Sequence, residues 1–430
     1  MNRSGENFLT RDMRVSIAIG VSVVFILNGC GDSTPSKQGT GSNYNKPSTT
    51  RGPNGSYSSG GLPAPPVKLI KPSGSVCGPT TGNNLGLYTW GHEVWRDSPS
   101  SLIEFVQNPK VSEYGCGEVY INVSDYTAPH WIPDPHNLYP FIRNIRATGN
   151  RAMVYLVYGD VNVSGNGAPD GPKIFADTFF AWVATLSDSQ LNDILPIGIS
   201  YDCEHLAPKT IQDALNRCQT LKEGIRVSRL GGDGSRMSVQ WTIEGERKPV
   251  DTDIVMKLAD SALMMGYRNH VGTSIHDPEG EDNIVTRLMN FMFKEQCTHC
   301  LDDAYAAANY KAKIKLMFEA DCDCGASCRK ISFCAYDGSQ SGWGTEYANG
   351  AEYTMATLAE SERQLRIQLG PDRFNRLFGP QTNMSLFVIH NWQWFTCFFD
   401  QPSISVTTPI GKKSLTCQQY RSLAAGCRSK

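Results

Sequence analysis

The sequence lacks the short motifs that mark several large classes of protein. No G-x-G-x-x-G or P-loop pattern follows its first strand-like run, so we expect no nucleotide site of those kinds. Its 8 histidines show no H-E-x-x-H or H-x-H spacing, and no G-x-S-x-G is present, which disfavours metallohydrolases, phosphodiesterases and serine hydrolases. An excess of one charge is also missing, because the formal net charge is -2 without a Lys/Arg stripe, which argues against nucleic-acid binding. We therefore expect neither a cofactor nor a resident metal.

Long apolar runs are equally scarce. The run from Val15 to Leu27 follows three arginines and is too short to span a bilayer comfortably, so residues 1–30 are predicted to be a secretory signal. Two alternatives stay open: an uncleaved membrane anchor, and lipid on Cys30, since residues 27–30 resemble a lipoprotein cleavage site. We expect a monomeric protein that is secreted or extracellular, with membrane contact only through this segment or Cys30.

The 14 cysteines favour disulfide bonds, because secreted chains fold in an oxidising environment. Zinc is the alternative for Cys297-Thr298-His299-Cys300 taken with the cysteines at 322, 324, 328 and 334. If Cys30 is removed or lipidated, an odd number remains, and at least one thiol stays outside any disulfide. Cys203 is our candidate for that thiol.

Composition divides the chain after the signal. Residues 31–76 are rich in Gly, Ser, Pro, Asn and Thr and are predicted to be a flexible linker, and residues 77–430 are predicted to form one domain. Glycosylation sequons would make the protein a glycoprotein in a host that modifies them, although one lies in a predicted strand. The sequons begin at Asn54, Asn122, Asn162 and Asn383, and Asn122 is the one in the strand.

Eight short apolar runs recur between residues 85 and 394, each except the last followed by a helix-like stretch. Strands that alternate with helices predict parallel pairing through right-handed crossovers, and eight repeats close a (β/α)8 TIM barrel of the α/β class. An open doubly wound sheet is the alternative, and it would normally have fewer strands and a phosphate loop. Ser414 to Ala425 is predicted to be the last outer helix. The predicted strands are Leu85 to Trp90, Glu118 to Val123, Ala152 to Tyr158, Ile194 to Tyr201, Met237 to Ile243, Ala262 to Tyr267, Ile314 to Phe318 and Leu386 to Trp392.

The fourth run leads into Asp202-Cys203-Glu204. Side chains alternate across a strand, so Asp202 and Glu204 point to the same face, at the strand end where a barrel builds its active site. Two carboxylates this close repel each other, which helps one of them to keep its proton. Other polar and aromatic residues at predicted strand ends are expected around the same mouth: Trp90, Asn122, Asp125, Tyr158, Asp160, Trp241, Glu244, Tyr267, Arg268, Glu319 and Trp392.

Carboxylates mixed with aromatic rings are typical of a carbohydrate cleft. Aromatic faces stack on sugar rings, and carboxyl groups exchange the protons of glycosidic cleavage. We therefore predict a carbohydrate ligand, with Glu204, Asp202, Tyr267 and Glu319 as catalytic candidates. The predicted substrate-binding residues are Trp90, Tyr158, Asp160, Trp241, Arg268 and Trp392.

These strand ends resemble glycoside hydrolase family 18, which includes chitinases and inactive chitinase-like lectins. Asp202-Cys203-Glu204 is similar to the end of the D-x-x-D-x-D-x-E signature, with Ser200 and Ile197 in place of two aspartates. Met265-Gly266-Tyr267 resembles M-x-Y-D/N, with Arg268 replacing the last residue. Trp392 resembles the Trp under the central sugar.

The resemblance implies substrate-assisted hydrolysis of β-linked, N-acetylated glycans. Glu204 would protonate the glycosidic oxygen, Asp202 would orient the acetamido group that attacks the anomeric carbon, and Tyr267 would donate a hydrogen bond to the acetamido carbonyl. Ser200 removes a charge that the family uses to shuttle a proton, so a catalytically silent sugar-binding protein is the first alternative. A retaining glycosidase that uses Glu204 and Glu319 is the second.

Overall fold

The computed structural model of the protein describes the chain in separate stretches. Of the two units into which the chain divides, Met1–Asn45 and Lys46–Lys430, only the second contains described residues. The predicted signal and linker, residues 1–30 and 31–76, lie outside them. The described residues are 85–89, 102–103, 117–124, 135–149, 152–159, 170–203, 206–244, 249–267, 284–290, 297–320, 333, 350–379, 386–390, 405–407 and 414–416.

Eight parallel strands form a closed barrel in sequence order, which confirms the predicted (β/α)8 TIM barrel. The last strand closes on the first through the pairs Gly86 with Val388 and Leu87 with Ile389. The strands are short, almost wholly buried apolar runs, as parallel strands covered on both faces must be. They are β1 (Gly86–Thr89), β2 (Val119–Asn122), β3 (Val154–Gly159), β4 (Ile197–Asp202), β5 (Met237–Ile243), β6 (Ser261–Met265), β7 (Lys313–Glu319) and β8 (Phe387–His390).

Helices follow the strands and carry the apolar stripes that the sequence predicts. On the first helix, Leu138, Phe141, Ile142 and Ile145 are all buried, at the spacing that brings one face toward the barrel. The described helices are α1 (Pro135–Ala147), α2 (Gly171–Thr185), α3 (Asp188–Ile194), α4 (Pro208–Arg229), α5 (Pro249–Leu258), α6 (Ile284–Asn290), α7 (Asp303–Asn309) and α8 (Gly350–Phe378).

Strand alternation divides the core into two apolar clusters. The larger one lies between barrel and helices and includes Val154, Ile199 and Trp241, whereas the smaller one includes Tyr88 and Met317. The smaller cluster is the barrel interior, because its members alternate along the strands with those that face the helices. The direction of each strand-end side chain follows from this alternation.

Charged and polar groups fill part of the barrel interior. The Lys315 ammonium lies 2.5 Å from the Glu118 carboxylate and donates to the Tyr155 hydroxyl at 3.1 Å. The Tyr120 hydroxyl donates to the same carboxylate at 2.7 Å and accepts from Gln240 at 3.3 Å. A buried ion pair and its hydrogen bonds therefore stand where a barrel usually stacks aliphatic residues.

The prediction of a last outer helix over Ser414 to Ala425 is wrong at its start. Ser414–Thr416 is a strand that pairs antiparallel with Ser405–Thr407, and residues 417–425 lie outside the described part of the chain. The composition of residues 414–416 is compatible with a helix, but hydrogen bonding to the backbone of residues 405–407 makes them a strand. Within the described residues, no helix has the length and hydropathy that crossing a membrane requires.

Candidate functional site

Asp202 is the last residue of β4 and points into the barrel mouth. Asp202 is only 3% exposed, and its Oδ2 accepts a hydrogen bond of 2.9 Å from the Tyr88 hydroxyl. Tyr88 lies on β1, three strands away around the barrel, so its side chain reaches across the interior to the carboxylate. Asp202 is thus held in a fixed orientation by a neutral donor.

The residue below Asp202 on the same strand face is Ser200, in the place of the missing aspartate. Its hydroxyl is buried and donates to the Gln240 side-chain oxygen at 3.0 Å. Gln240 donates in turn to Ser261 at 2.9 Å. Position 200 is therefore an uncharged member of a hydrogen-bond network that continues through Gln240 and Tyr120 to Glu118.

Stacked tyrosines support Tyr88 from below. The Tyr88 and Tyr120 rings are stacked with centroids 5.5 Å apart, and the Tyr120 and Tyr155 rings are stacked at 4.9 Å. Gly198 makes room for them, since a Cβ there would lie 2.9 Å from the Tyr155 ring and 2.5 Å from the Ser238 carbonyl oxygen. The stack, together with burial of all three rings, fixes the donor that meets Asp202.

Glu319 and His390 form a second polar pair at the mouth. They end β7 and β8, are paired in register, and bring Glu319 Oε2 within 2.5 Å of His390 Nδ1. Only 10% of the Glu319 side chain and 12% of the His390 side chain are exposed. The His390 ring contacts Tyr88 and Tyr267, with centroids 5.4 and 6.1 Å apart.

Tyr267 lies two residues beyond β6 and packs against the interior cluster. The glycine before it, Gly266, donates from its backbone to the Met317 carbonyl at 2.7 Å, and a Cβ there would be 3.1 Å from the Phe318 ring. A side chain at position 266 would crowd the Met317 carbonyl and the Phe318 ring on β7. The glycine therefore lets Tyr267 approach the mouth beside His390.

Tyr158 and Trp241 do not reach the mouth, which corrects their predicted position. Both are 1% exposed and belong to the cluster between barrel and helices. The Trp241 ring packs on Tyr201 at 4.8 Å, and the Tyr158 ring packs on Phe175 at 5.1 Å. Tyr158 on β3 and Trp241 on β5 face the helices, so neither side chain lines the barrel mouth.

The structure places some predicted site residues and leaves others undescribed. It brings Asp202, Glu319 and Tyr267 to one mouth, where Asn122 is also buried and inward-facing on β2. Asn122 Oδ1 accepts hydrogen bonds from the backbone and the hydroxyl of Ser124, so this amide oxygen is engaged within the protein. The predicted site residues outside the described part of the chain are Glu204, Trp90, Asp160, Arg268 and Trp392.

Tyr88 and His390 are functional candidates that the sequence reasoning missed. Each stands two residues before a predicted mouth tryptophan, Trp90 or Trp392, and so faces the same side of its strand. Applying the alternation backward from those tryptophans would have found both.

The buried groups below the mouth have strongly shifted acidities. Burial raises the pKa of Tyr120 well above its usual value, and the nearby Glu118 carboxylate raises it further. Burial by itself lowers the pKa of Lys315, but Glu118 and Tyr155 together outweigh it and the net shift is upward. Tyr120 therefore stays neutral and Lys315 stays charged at physiological pH.

The cysteines of the described residues are thiols or a disulfide. Cys297 and Cys300 are joined, as the disulfide interpretation predicts, and Cys203 is a buried thiol, which confirms the prediction for it. Cys218 is a second buried thiol. Across the described stretches no three His, Cys, Asp or Glu side chains come together as a metal site. The cysteines at 322, 324, 328 and 334 lie outside those stretches.

Comparison with known proteins gives similarities at the level of structure. No protein-family model and no curated protein sequence matches this chain. Similar solved structures include a GH18 chitinase from Pseudoalteromonas aurantia, with 11% identity, a TM-score of 0.38, and coverage of 74% of this chain and 99% of that one. A GH18 chitinase from Cycas revoluta in complex with allosamidin has 12% identity and a TM-score of 0.34, covering 55% of this chain and 68% of that one. The spore cortex-lytic enzyme SleL from Bacillus cereus has 8% identity and a TM-score of 0.28, covering 55% of this chain and 50% of that one.

At these identities and scores the similarities carry no argument about chemistry or substrate, and the closed barrel itself establishes the fold.

Proposed function

We propose that this protein is a glycoside hydrolase that binds β-linked, N-acetylated glycans at the barrel mouth. The observation that carries the proposal is the buried, inward-facing Asp202 at the carboxyl end of β4, held by Tyr88. Burying a carboxylate costs stability even when it is hydrogen-bonded, and the mouth of a (β/α)8 barrel is where enzymes of this fold place their catalytic carboxylates. Glu204 follows two residues later on the same predicted face.

In the proposed mechanism Glu204 donates a proton to the glycosidic oxygen while the substrate's acetamido oxygen attacks the anomeric carbon. Asp202 accepts a hydrogen bond from the acetamido N–H, which aligns that group and stabilises the developing positive charge. The Tyr267 hydroxyl donates to the acetamido oxygen. Water then opens the cyclic intermediate, with Glu204 taking the proton of that water.

A catalytically silent sugar-binding protein is the second candidate, and the Ser200 to Gln240 hydrogen bond favours it. The uncharged Ser200 hydroxyl beneath Asp202 cannot take up a proton from it as a carboxylate at that position would. Binding of the acetamido group by Asp202 and Tyr267 needs no such exchange. The two candidates therefore share a ligand and differ in turnover.

The retaining mechanism that pairs Glu204 with Glu319 is the third candidate. Glu319 Oε2 is engaged by His390 Nδ1 at 2.5 Å, so attack on a sugar would require that contact to be shared or broken. This mechanism needs no acetamido group. A β-glycan without N-acetyl groups is therefore the substrate that distinguishes it.

Turnover and binding by Glu204→Gln, compared with wild type, test the proposal. On N-acetylated chitin oligosaccharides, we expect Glu204→Gln to lower turnover at least about 10²-fold, the usual cost of losing a general acid, and to retain binding measured by calorimetry. Glu223→Gln is the matched control, because it makes the same change on the exposed face of α4. Binding without turnover in wild type identifies the silent binder, and neither binding nor turnover in wild type refutes both sugar functions.

We also propose that the protein is secreted or tethered outside the membrane through residues 1–30. The basic start and the short apolar run from Val15 to Leu27 support this. Fractionation of the expressing cells and the mass of the mature amino terminus test it. Release with the first residues removed supports a signal, a lipid-sized mass on Cys30 supports lipidation, and a full-length cytosolic chain contradicts secretion.

A further inference from the structure

The Glu319 and His390 pair is a buried polar feature of the mouth that the proposed mechanism does not use. Two adjacent strands end in these residues, and nine-tenths of the Glu319 side chain is removed from solvent. Removing a carboxylate and an imidazole from water costs free energy, and a close hydrogen bond between the two groups offsets that cost. Glu319 Oε2 and His390 Nδ1 are 2.5 Å apart. Such a pair at the rim of a barrel needs an explanation beyond packing.

His390 touches the two tyrosines to which the proposed function gives tasks. One is Tyr88, whose hydroxyl holds Asp202, and the other is Tyr267, the proposed donor to the acetamido oxygen. Tyr88 lies on β1, and Tyr267 lies in the segment after β6. His390 is on β8, which stands between β7, the strand of Glu319, and β1. A single imidazole ring therefore bridges both.

We propose that Glu319 and His390 are positioning residues that set the preference of the mouth for N-acetylated over unacetylated sugars. This inference rests on the proposed function. Glu319 fixes the rotation of the His390 ring through Nδ1. The fixed ring packs against Tyr88, which holds Asp202, and against Tyr267, and so keeps both partners of one acetamido group in place.

The physical basis is the geometry of two-sided recognition. An acetamido group that donates to Asp202 and accepts from Tyr267 gains full binding only when both partners are placed together, and small displacements weaken both bonds. A site built to satisfy such a group also discriminates against a ligand that lacks it, because its buried polar atoms are then left unmatched. Releasing the His390 ring should therefore reduce selectivity more than it reduces general affinity for sugar.

Four variants test the assignment in the full-length protein. His390→Asn keeps a nitrogen near Nδ1 but removes the ring that touches the tyrosines, and Glu319→Ala removes the anchor of the ring. Glu319→Gln is the conservative variant, because its amide oxygen still accepts from Nδ1–H. Glu360→Gln, on the outer surface of α8, is the matched control.

The measurement is the ratio of dissociation constants for a fully N-acetylated chitin tetrasaccharide and its fully deacetylated counterpart, with kcat and KM where turnover occurs. We expect His390→Asn and Glu319→Ala each to lower the ratio roughly tenfold, and the double variant to lower it no further, because both changes release the same ring. Glu319→Gln should stay within about threefold of wild type. A change in the ratio at constant thermal midpoint separates positioning from a loss of fold.

Three other outcomes are decisive. An unchanged ratio in folded His390→Asn overturns the inference and leaves the proposed function standing, and this variant decides alone if Glu319→Ala does not fold. A wild-type protein that does not prefer the N-acetylated sugar refutes the proposed function, and the inference with it. Loss of turnover in Glu319→Gln with binding retained also overturns the inference, because it identifies Glu319 as the nucleophile.

Discussion

Replacing Lys315 by Met should destabilise the barrel far more than the loss of one surface charge. Lys315 is 1% exposed, and Glu118, its partner, is 0% exposed. The variant removes the cation but leaves the carboxylate in an interior where water does not reach it. Breaking a buried pair from one side costs about 3–5 kcal/mol, and we expect a loss of that size in the free energy of unfolding.

The double variant Lys315→Met with Glu118→Gln tests whether charge is the cause. Gln at position 118 keeps an oxygen for the Tyr120 hydroxyl while removing the buried negative charge. We expect it to recover most of the loss, to within about 1–2 kcal/mol of wild type, since neutral replacements of buried pairs are often tolerated. The double variant should therefore be more stable than Lys315→Met alone, although it carries one more substitution.

Urea unfolding followed by circular dichroism at pH 7, with disulfides intact, measures these differences. Lys209→Met is the matched control, because Lys209 pairs with Asp213 on the surface and is 83% exposed. Its loss should be near the limit of detection. A loss below about 1 kcal/mol in Lys315→Met, or a double variant no more stable than Lys315→Met, refutes the reasoning.

Two further predictions concern groups away from the mouth. Arg146 donates to the carbonyl oxygens of Ala152, Ile194 and Pro196, so Arg146→Leu should lower the free energy of unfolding by about 3 kcal/mol in the same urea assay, and an unchanged midpoint contradicts this. Burial raises the pKa of the Cys218 thiol to about 12. The folded thiol therefore keeps a proton that the unfolded thiol releases above about pH 9, and stability should fall there with rising pH by up to ~1.4 kcal/mol per unit. Cys218→Ala should flatten that decline, and an identical pH profile in the variant argues against the assignment.

The strands were predictable because a parallel barrel buries both faces of each strand. Continuous apolar runs result, and β5 coincides with its predicted range of Met237 to Ile243. The fourth strand was predicted to begin at Ile194, but Ile194 ends α3, which Ser187 begins with a capping box. The apolar run from Ile194 onward therefore spans the end of a helix and the start of a strand, and hydrophobicity alone does not show where one ends and the other begins.

Side-chain direction was predictable only where alternation was counted from a known face. Alternation places Asp202 inward. Trp241 follows the inward-facing Gln240 by one residue, so the same alternation turns Trp241 toward the helices. The pairing of Glu118 with Lys315 was beyond the sequence, because 197 positions separate them and only closure of the barrel brings them together. Long-range partners of this kind leave no local pattern.

The tyrosine stack gives the barrel a property that neither the mouth nor the ion pair has alone. Lys315 contacts Tyr155, Tyr155 stacks on Tyr120, Tyr120 stacks on Tyr88, and Tyr88 holds Asp202. An unbroken series of contacts therefore joins the buried ion pair to the carboxylate at the mouth. A substitution at Tyr120 removes the ring on which Tyr88 stacks, so a change in the core can reach Asp202 through Tyr88 without touching the mouth itself.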